Sequence, residues 1–419
     1  MSRFISYYGD DFTGSTDVME ALASHGVSTV LFTRPPSPAE FAPFAAHEAV
    51  GLAGTSRSET PDWMEARLPA VFAWLRSLEA RFCHYKVCST FDSGPRVGSI
   101  GRAAEIGAAC FGQAVIPLVV GAPQLRRYTF AGHLFAGFRD AVHRIDRHPV
   151  MSRHPVTPMG ESDLRLHLAR QTAMPVMLAD EDWPTAGIGL LDVHDTTTQL
   201  AAGRRLLDLP PDAQPFLVGS SGVEYALMAA LAKVTVASAP LAAVDRTLVV
   251  SGSVSPTTER QIRHALQHGF EAVAVSAVAL AEGDATAIES CVQEAMRVLQ
   301  RGHSPLVHTA LGSATDAGER ISADGRSRIG VALGRILREV RSQAGLRRVM
   351  IAGGDTSSHA LGQLDIHALT MRHPLPAAPG SPLCLAHSAD PGLDGTEIAL
   401  KGGQVGGDGY FVQLRDGRI

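Results

Sequence analysis

The chain has few cysteines, no long apolar run and no basic stretch, and each shortage excludes a class of protein. Its five cysteines are scattered over 419 residues without a CxxC pair, so neither a disulfide framework nor a zinc site is expected. Apolar runs stay shorter than the roughly 18 residues of a membrane-spanning helix, and no leader-like segment opens the chain. A net charge of −5 without a basic run argues against nucleic acid as a partner. The composition predicts a cytoplasmic protein with no membrane partner.

Several enzyme motifs are missing as well. There is no GxxxxGK[ST] phosphate loop, no GxGxxG followed by a ribose-binding acid, and no GxSxG, whose absence disfavours acyl transfer. The chain has 17 histidines, but His143, His148 and His154 are spaced by five and six residues, which fits no standard zinc pattern. The sequence therefore predicts no dedicated protein metal site.

The remaining pattern predicts two α/β domains. A chain of 419 residues exceeds what one hydrophobic core usually supports. Strand-like and helix-like segments alternate in both halves, which is typical of parallel sheets. We predict a first domain at 1–235, a second domain at 246–419 and an Ala/Val/Pro-rich linker at 236–245. Each domain is expected to contain a largely parallel sheet flanked by helices, with the active site in the cleft between them.

The predicted elements can be placed along the chain. Predicted strands cover 4–8, 27–32, 48–53, 84–91, 114–120, 215–218, 247–250, 271–276, 305–310 and 348–351. Predicted helices cover 16–25, 62–81, 100–111, 259–268, 285–301 and 326–344, and a short β region ends the chain. Residues 123–175 lack clear periodicity and are predicted to be an excursion from the first sheet.

Two adjacent carboxylates, Asp10 and Asp11, follow the first predicted strand and precede its helix. Open α/β sheets bind small molecules at this position. Neighbouring buried anions are costly unless a ligand or cations satisfy them, which favours a binding site. The alternative is that both residues only cap the helix, since acidic residues favour its positive end.

Other polar residues follow neighbouring strands of the first half. They lie in the segments 56–58 and 89–93, and they include hydroxyls, Arg57 and, just before, Lys86. Carboxylates that accept from hydroxyls, together with an arginine that pairs with a carboxylate, suit a polyhydroxylated anionic ligand. Each segment taken alone is also compatible with an ordinary polar loop.

Three glycine-containing turns follow strands of the second half. They are centred on Ser251-Gly252-Ser253, on Gly353-Gly354 and on Gly402-Gly403, and Lys401 precedes the last one within reach of a phosphate. Such turns leave backbone N–H groups free at helix N-termini, where phosphates bind. A single turn is weak support, but three in one domain indicate a nucleotide-phosphate site.

Taken together, seven ordered motifs over nearly the whole chain resemble the four-carbon acid sugar kinase family. They are Asp10–Gly14 (DDFTG), Lys86–Ser93 (KVCSTFDS), Gly132–Phe135 (GHLF), His154–Met159 (HPVTPM), Ser251–Ser253 (SGS), Gly353–Thr356 (GGDT) and Lys401–Gly403 (KGG). The resemblance implies an N-terminal domain that binds a sugar acid and a C-terminal domain that binds ATP for phosphorylation of a terminal hydroxyl. It implies substrate contacts at Asp10, Asp11, Arg57, Lys86, Val87, Cys88, Ser89 and Thr90. It implies ATP contacts at Ser251, Ser253, Gly353, Gly354, Asp355, Thr356, Gly402 and Gly403.

On this interpretation Mg²⁺ bridges the β- and γ-phosphates. The expected catalytic residues are Asp10 or Asp11 as the base, with Asp355 as a competing candidate for base or metal contact. One segment departs from the family: Pro123–Thr129 (PQLRRYT) replaces an Asn-Gly-Arg stretch and is closer to members linked to 3-oxo-isoapionate. A homodimer is one candidate assembly. A sugar-acid dehydrogenase or aldolase, and a non-catalytic sensor of nucleotide and sugar acid, stay open as alternatives.

Overall fold

The computed structural model describes residues 3–154, 156–180, 182–210, 213–311 and 321–419, without the side chains of Ala323 and Asp355. The chain divides into two compact units. The first contains the residues up to Leu31 and those from Pro35 to Val236, and the second contains Phe32–Arg34 and Ala237–Ile419.

The first unit is built on a parallel sheet. Its strands in chain order are β1 (Ile5–Gly9), β2 (Thr29–Phe32), β3 (Ala49–Ala53), β4 (Phe82–Lys86), β5 (Val115–Val119), β6 (Arg127–Phe130), β7 (His133–Phe138), β8 (Ala141–Arg144), β9 (Val176–Leu178), β10 (Gly187–Leu191) and β11 (Phe216–Gly219). The large sheet has the order β2-β3-β1-β4-β11-β5-β10-β9, and its pairings from β3 to β9 are parallel. Strands β6, β7 and β8 form a separate antiparallel sheet.

Helices connect these strands. They are α1 (Phe12–Ala23), α2 (Pro38–Phe41), α3 (Pro61–Ser77), α4 (Ile100–Phe111), α5 (Leu164–Leu168), α6 (Thr196–Leu207) and α7 (Gly222–Ala230). The central strands β1, β3 and β4 are buried along their whole length, as expected for a sheet covered on both faces.

The second unit has a mixed sheet. Its strands are β12 (Leu248–Ser251), β13 (Phe270–Ala274), β14 (Ser304–His308), β15 (Arg348–Ala352), β16 (Ile366–His373), β17 (Leu383–Ser388) and β18 (Glu397–Lys401). The order is β13-β14-β12-β15-β18-β17-β16, parallel as far as β18 and antiparallel beyond it. Its helices are α8 (Pro256–Leu266), α9 (Ala277–Glu282), α10 (Ala285–Gln300), α11 (Ala323–Ala344), α12 (Gly354–Leu361) and α13 (Tyr410–Asp416). The buried side chains of Val249, Ile262, Met350 and Phe411 lie in its core.

The structure confirms the predicted α/β class, with largely parallel strand pairing and flanking helices in each unit. Three local predictions were wrong. Helix α1 begins at Phe12 instead of residue 16, because the Asp11 carboxylate caps it by accepting from the Gly14 N–H. Strand β4 ends at Lys86 instead of residue 91, because a turn follows in which Phe91 has a φ of 56°.

The third error concerns the C-terminal β region, which was expected to be short. It contains the three strands β16, β17 and β18, and helix α13 follows them. Lys401 and the Gly402-Gly403 turn follow directly from β18. Among the described residues, no helix combines the length and the apolar character needed to cross a bilayer.

Candidate active site

Three neighbouring strands of the first unit position the predicted substrate residues. Asp10 and Asp11 follow β1, Arg57 lies in the turn after β3, and Lys86 is the last residue of β4. The Asp10 N–H donates to the Lys86 carbonyl at 2.9 Å, and the Arg57 N–H donates to the Asp10 carbonyl at 3.1 Å. The carboxyl ends of β3, β1 and β4 thus bring these four residues together.

The two adjacent carboxylates differ in their surroundings. Asp11 caps α1: it accepts from the Gly14 N–H at 2.6 Å and from the Thr13 hydroxyl at 3.1 Å. Arg57 Nη1 also donates to Asp11 Oδ2 at 3.0 Å. The capping interpretation is therefore correct for Asp11, whose oxygens are both engaged.

Asp10 is the unusual member of the pair. It is 4% exposed, and its Oδ1 has no hydrogen-bond partner among the described residues. Burial, followed by the negative charge of Asp11, raises the pKa of Asp10 to about 7, although Arg57 and Lys86 partly offset this. A buried carboxyl with a free oxygen and a pKa near neutrality is suited to proton transfer.

Arg57 bridges Asp11 to a third carboxylate, Asp92, which the sequence analysis did not assign to the site. Arg57 Nη2 donates to Asp92 Oδ2 at 2.7 Å, and the Thr90 hydroxyl donates to Oδ1 at 2.5 Å. Burial alone would raise the pKa of Asp92, but the charge of Arg57 and the Thr90 bond lower it to about 2. Asp92 is therefore a permanent anion that holds Arg57 in place.

Lys86 lies beneath the site. It is 1% exposed, and its Nζ lies 3.5 Å from Asp17 Oδ2 on α1. Burial disfavours its charge, but Asp17, Asp10 and Asp11 outweigh burial and raise the pKa of Lys86. A substrate contact through this ammonium group, as the resemblance implied, is therefore not visible in the geometry, whereas the Arg57 side chain is 24% exposed.

The rest of the predicted segment after β4 is divided between core and turn. Val87 is fully buried, and Cys88 and Ser89 are partly exposed. The Cys88 Sγ and Thr90 Oγ1 atoms lie 3.0 Å apart. Only Cys88 and Ser89 of this segment present side chains that a ligand reaches without rearrangement.

Sequence reasoning also missed several buried polar residues behind this edge. Asp17 pairs with Lys86, and the His84 Nδ1 lies 2.6 Å from Glu224 Oε1 with both side chains fully buried. Arg127 on β6 donates to the carbonyls of Leu125, Arg126 and Gly137 and forms no ion pair with a described residue, and its pKa is lowered by burial.

In the second unit, the three glycine turns follow the adjacent parallel strands β12, β15 and β18. A Cβ added to Gly353 would lie 2.8 Å from Thr356 Oγ1 and 3.5 Å from Ser253 Cβ. A Cβ added to Gly403 would lie 3.2 Å from Ser253 Oγ. The structure therefore brings Ser253, Gly353, Thr356 and Gly403 together, and only glycine leaves the turns this close.

Two helices begin at these turns. Ser255 caps α8 by accepting from the Thr257 N–H, and Gly353 occupies the N-cap position of α12. Helix N-termini with free N–H groups bind phosphates, so the arrangement fits a nucleotide phosphate chain. Ser251 ends β12 and is buried. The side chain of Asp355 lies outside the described part of the chain.

Comparison with known proteins identifies two domains in this chain. Residues 5–254 match the model of a sugar-binding N-terminal domain, and residues 248–411 match that of a nucleotide-binding C-terminal domain. A 3-oxo-isoapionate kinase from Paraburkholderia graminis is 42% identical over an alignment that covers 99% of this chain and 94% of that protein.

The chain belongs to the four-carbon acid sugar kinase family. A 3-oxo-tetronate kinase from Cupriavidus necator is 30% identical, with 96% of this chain and 94% of the other covered. Crystal structures of family-like fold come from Salmonella typhimurium LT2 (TM-score 0.77, 23% identity, 99% of both chains covered) and Haemophilus influenzae (TM-score 0.71, 21% identity, 99% of this chain and 100% of that chain covered). The Haemophilus protein is described as a member of the family model DUF1537. Both structures support the fold of this family member.

Proposed function

We propose that this chain is an ATP-dependent kinase that phosphorylates the terminal hydroxyl of a small sugar acid. The observation that carries the mechanism is Asp10, a buried carboxyl whose Oδ1 has no hydrogen-bond partner in the described part of the chain and whose pKa responds to the charges of Arg57 and Lys86. The first unit would bind the sugar acid and the second would bind ATP. The proposed location is the cytoplasm.

Among sugar acids, 3-oxo-isoapionate is the first candidate substrate. It is the substrate named for the relative that is 42% identical, whereas the 3-oxo-tetronate kinase from Cupriavidus necator is 30% identical. The departure at Pro123–Thr129 supports the same branch. 3-Oxo-tetronate is the second candidate, because its kinases align with nearly the whole chain.

In the proposed reaction, the ionised Asp10 carboxylate orients the substrate hydroxyl and accepts its proton. The hydroxyl oxygen forms a bond to the γ-phosphorus while the bond from this phosphorus to the bridging oxygen of ADP breaks. Arg57 is exposed enough to bind the carboxylate of the sugar acid, and Asp92 holds its guanidinium in position. Asp11 holds Arg57 and the first turn of α1 in position relative to each other.

ATP would be held by the backbone of the Ser251–Ser253, Gly353–Thr356 and Gly402–Gly403 turns. The close approach of these turns at Gly353 and Gly403 fits a ligand that lies against backbone N–H groups. Mg²⁺ supplies charge neutralisation at the phosphates, and it usually keeps several waters and one or two carboxylates. Asp355 is the proposed carboxylate, by its position in the Gly353–Thr356 turn.

The first test is ADP release from ATP and Mg²⁺ with 3-oxo-isoapionate, 3-oxo-tetronates, erythronate and threonate. We expect the highest kcat/KM for 3-oxo-isoapionate. Release that does not depend on any sugar acid, with ATP still bound, would contradict the kinase and favour a sensor.

The second test separates the two adjacent carboxylates. Asp10→Asn is expected to lower kcat at least about 100-fold, because a general base contributes at least this factor. ATP affinity, measured by calorimetry, should not change. Asp11→Asn is the matched control: asparagine still caps α1, so measurable turnover should remain. Near-normal turnover of Asp10→Asn would disprove the assignment of the base.

A further inference from the structure

Lys401 is one of only three lysines in the chain, and its side chain is completely buried. Its Nζ donates to the Thr258 hydroxyl at 3.1 Å, to the Gly402 carbonyl at 2.7 Å and to the Gly403 carbonyl at 3.5 Å. These three bonds use all three donors of an ammonium group. The side chain therefore points beneath the glycine turn and not toward a phosphate, which differs from the sequence-based interpretation.

Its contacts join the proposed nucleotide-binding turns to one another. Thr258, in the first turn of α8, accepts from the Ser253 hydroxyl at 3.0 Å and donates to the Gly403 carbonyl at 3.2 Å. The Lys401 carbonyl accepts from the Gly353 N–H at 2.8 Å. Lys401 thus contacts elements that follow each of the strands β12, β15 and β18.

The bonds also orient the turn. In a trans peptide the C=O and the following N–H point in opposite directions. Because Nζ holds the carbonyls of Gly402 and Gly403, the N–H groups of Gly403 and Gln404 point away from it. Neither N–H has a hydrogen-bond acceptor among the described residues, so both are free to donate to a phosphate.

The positive charge of Lys401 has no carboxylate partner among the described side chains. The charged or titratable groups on the elements around it are Glu259, Arg260, Arg263 and His264 on α8, Arg348 on β15, Asp355 and His359 on α12, Cys384 and His387 on β17, Glu397 on β18, and Asp408. Glu259 pairs with Arg263, Arg260 with Asp408, and Glu397 with Arg348. Burial is the cause that lowers the pKa of Lys401 to about 7.

We propose that Lys401 is a positioning residue whose buried ammonium group orients the Gly402-Gly403 turn. Its positive charge also attracts the ATP phosphates, which bind on the opposite side of this turn. The inference rests on the proposed function, since it requires ATP in the second unit. Protonated Lys401 fits its three acceptors, whereas neutral Lys401 has one donor fewer and presents a lone pair to oxygen atoms. Nucleotide affinity is therefore linked to the protonation of a side chain that does not touch the nucleotide.

Linkage fixes the sign of the pH dependence. Bound phosphates favour the charged form of Lys401 and raise its pKa. Affinity is then highest below the pKa of the free enzyme and falls as the pH rises from about 7 toward the higher pKa of the complex. By reciprocity, a pKa rise of about one unit corresponds to a tenfold gain in affinity.

Carbon NMR of the full chain labelled with [ε-¹³C]lysine tests this directly, because only three resonances are expected. Lys401→Met and Lys233→Met assign the signals, and Lys233 is an exposed residue of the linker region. We expect the pKa of Lys401 to be near 7 and to rise by at least about one unit with saturating Mg²⁺ and AMP-PNP. Lys233 should titrate normally in both states.

Affinity for AMP-PNP, measured by calorimetry at several pH values, completes the test. Lys401→Met should bind at least about tenfold more weakly than Lys233→Met at pH 6.5, and the difference should shrink by pH 9. An unchanged Lys401 pKa in the complex, or equal affinities of the two variants at pH 6.5, would overturn the proposal. Failure of the unmodified chain to bind AMP-PNP would instead contradict the proposed kinase function, and this inference with it.

Discussion

Asp10 and Asp11 are neighbours in sequence, but their carboxylates have different surroundings. Asp11 is satisfied by the start of α1 and by Arg57, whereas Asp10 is buried and its Oδ1 has no hydrogen-bond partner among the residues that the structure describes. The charge of Asp11 also raises the pKa of Asp10. One residue of the pair therefore tunes the other, which a pair of capping residues would not need to do.

This arrangement predicts a pH profile. A base must be ionised, and the pKa of Asp10 is raised to about 7, so kcat/KM should fall below about pH 7 as Asp10 becomes protonated. Replacing Asp11 by asparagine removes the negative charge next to Asp10. It also removes one of the two carboxylates that pair with Arg57. Both effects lower the pKa of Asp10, so the acidic limb of the Asp11→Asn profile should move to lower pH.

The measurement is kcat/KM for the best sugar acid between pH 5 and 9 in both proteins. Arg67→Gln, an exposed substitution on α3, serves as a control that should keep the original limb. An acidic limb that Asp11→Asn leaves unmoved or shifts to higher pH would show that Asp10 is not the titrating group.

Sequence reasoning identified Asp10, Asp11 and Arg57 because they follow strands, and Lys86 because it lies in the strand that precedes a polar segment. It included Asp92 in the polar segment 89–93 but gave it no role, because the Arg57–Asp92 bond depends on the path of the turn after β4. It also could not show that Lys86 and Lys401 are buried, since their contacts come from α1 and α8, which are distant in sequence. The residue types were visible in the sequence, but it did not show which helices and strands pack against each other.

At the level of elements, prediction succeeded where a segment had a clear hydrophobic periodicity and recognisable residues at its start and end. Helix α4 spans the predicted residues 100–111, with Ser99 as its N-cap and Gly112 in the left-handed conformation at its end. Strands β6, β7 and β8 were missed within 123–175. They have four to six residues each and form a small sheet of their own. Strands this short contain too few residues to show a clear alternation of apolar and polar side chains.

Adjacent glycines before α12 allow a test of backbone geometry. Gly353 has a φ of 116° and a ψ of 130°, a region that is essentially restricted to glycine, and Thr356 would crowd a Cβ there. Gly354 has nothing within 4 Å of an added Cβ and lies in the first turn of the helix. Gly353→Ala should therefore reduce the free energy of unfolding by about 1–3 kcal/mol, whereas Gly354→Ala should leave it nearly unchanged.

Urea unfolding of the two variants and the parent chain provides the comparison. The same pair tests the proposed ATP site, since Gly353→Ala should also raise the KM for ATP through the displaced turn. Equal stability of the two variants would mean that Gly353 adopts a different backbone conformation from the one described.

At the level of the whole molecule, the two units share the location of the proposed site and a buried lysine near it. Each places its proposed site at the carboxyl ends of adjacent parallel strands, beside the start of a helix. Each also has a buried lysine at the end of a strand, Lys86 on β4 and Lys401 on β18. Lys86 is balanced by carboxylates, whereas Lys401 has no carboxylate partner among the side chains that the structure describes, which agrees with an anionic ligand in the second unit.

The lysine distribution also makes the domain division testable. Lys233 is exposed and lies at the start of a stretch without helix or strand, while Lys86 and Lys401 are buried. A lysine-specific protease acting on the native chain should therefore cut first after Lys233, because cleavage requires an exposed and locally extended backbone. The products should be fragments 1–233 and 234–419, identified by mass spectrometry over a short time course.

This experiment also bears on the predicted linker at 236–245. If the boundary is right, each fragment should keep most of its far-ultraviolet circular dichroism after separation, because each contains nearly all of one compact unit. Lys233→Met should resist the protease under the same conditions. Early cleavage after Lys86 or Lys401 would contradict the burial of these side chains, and with it the explanation offered for the low pKa of Lys401.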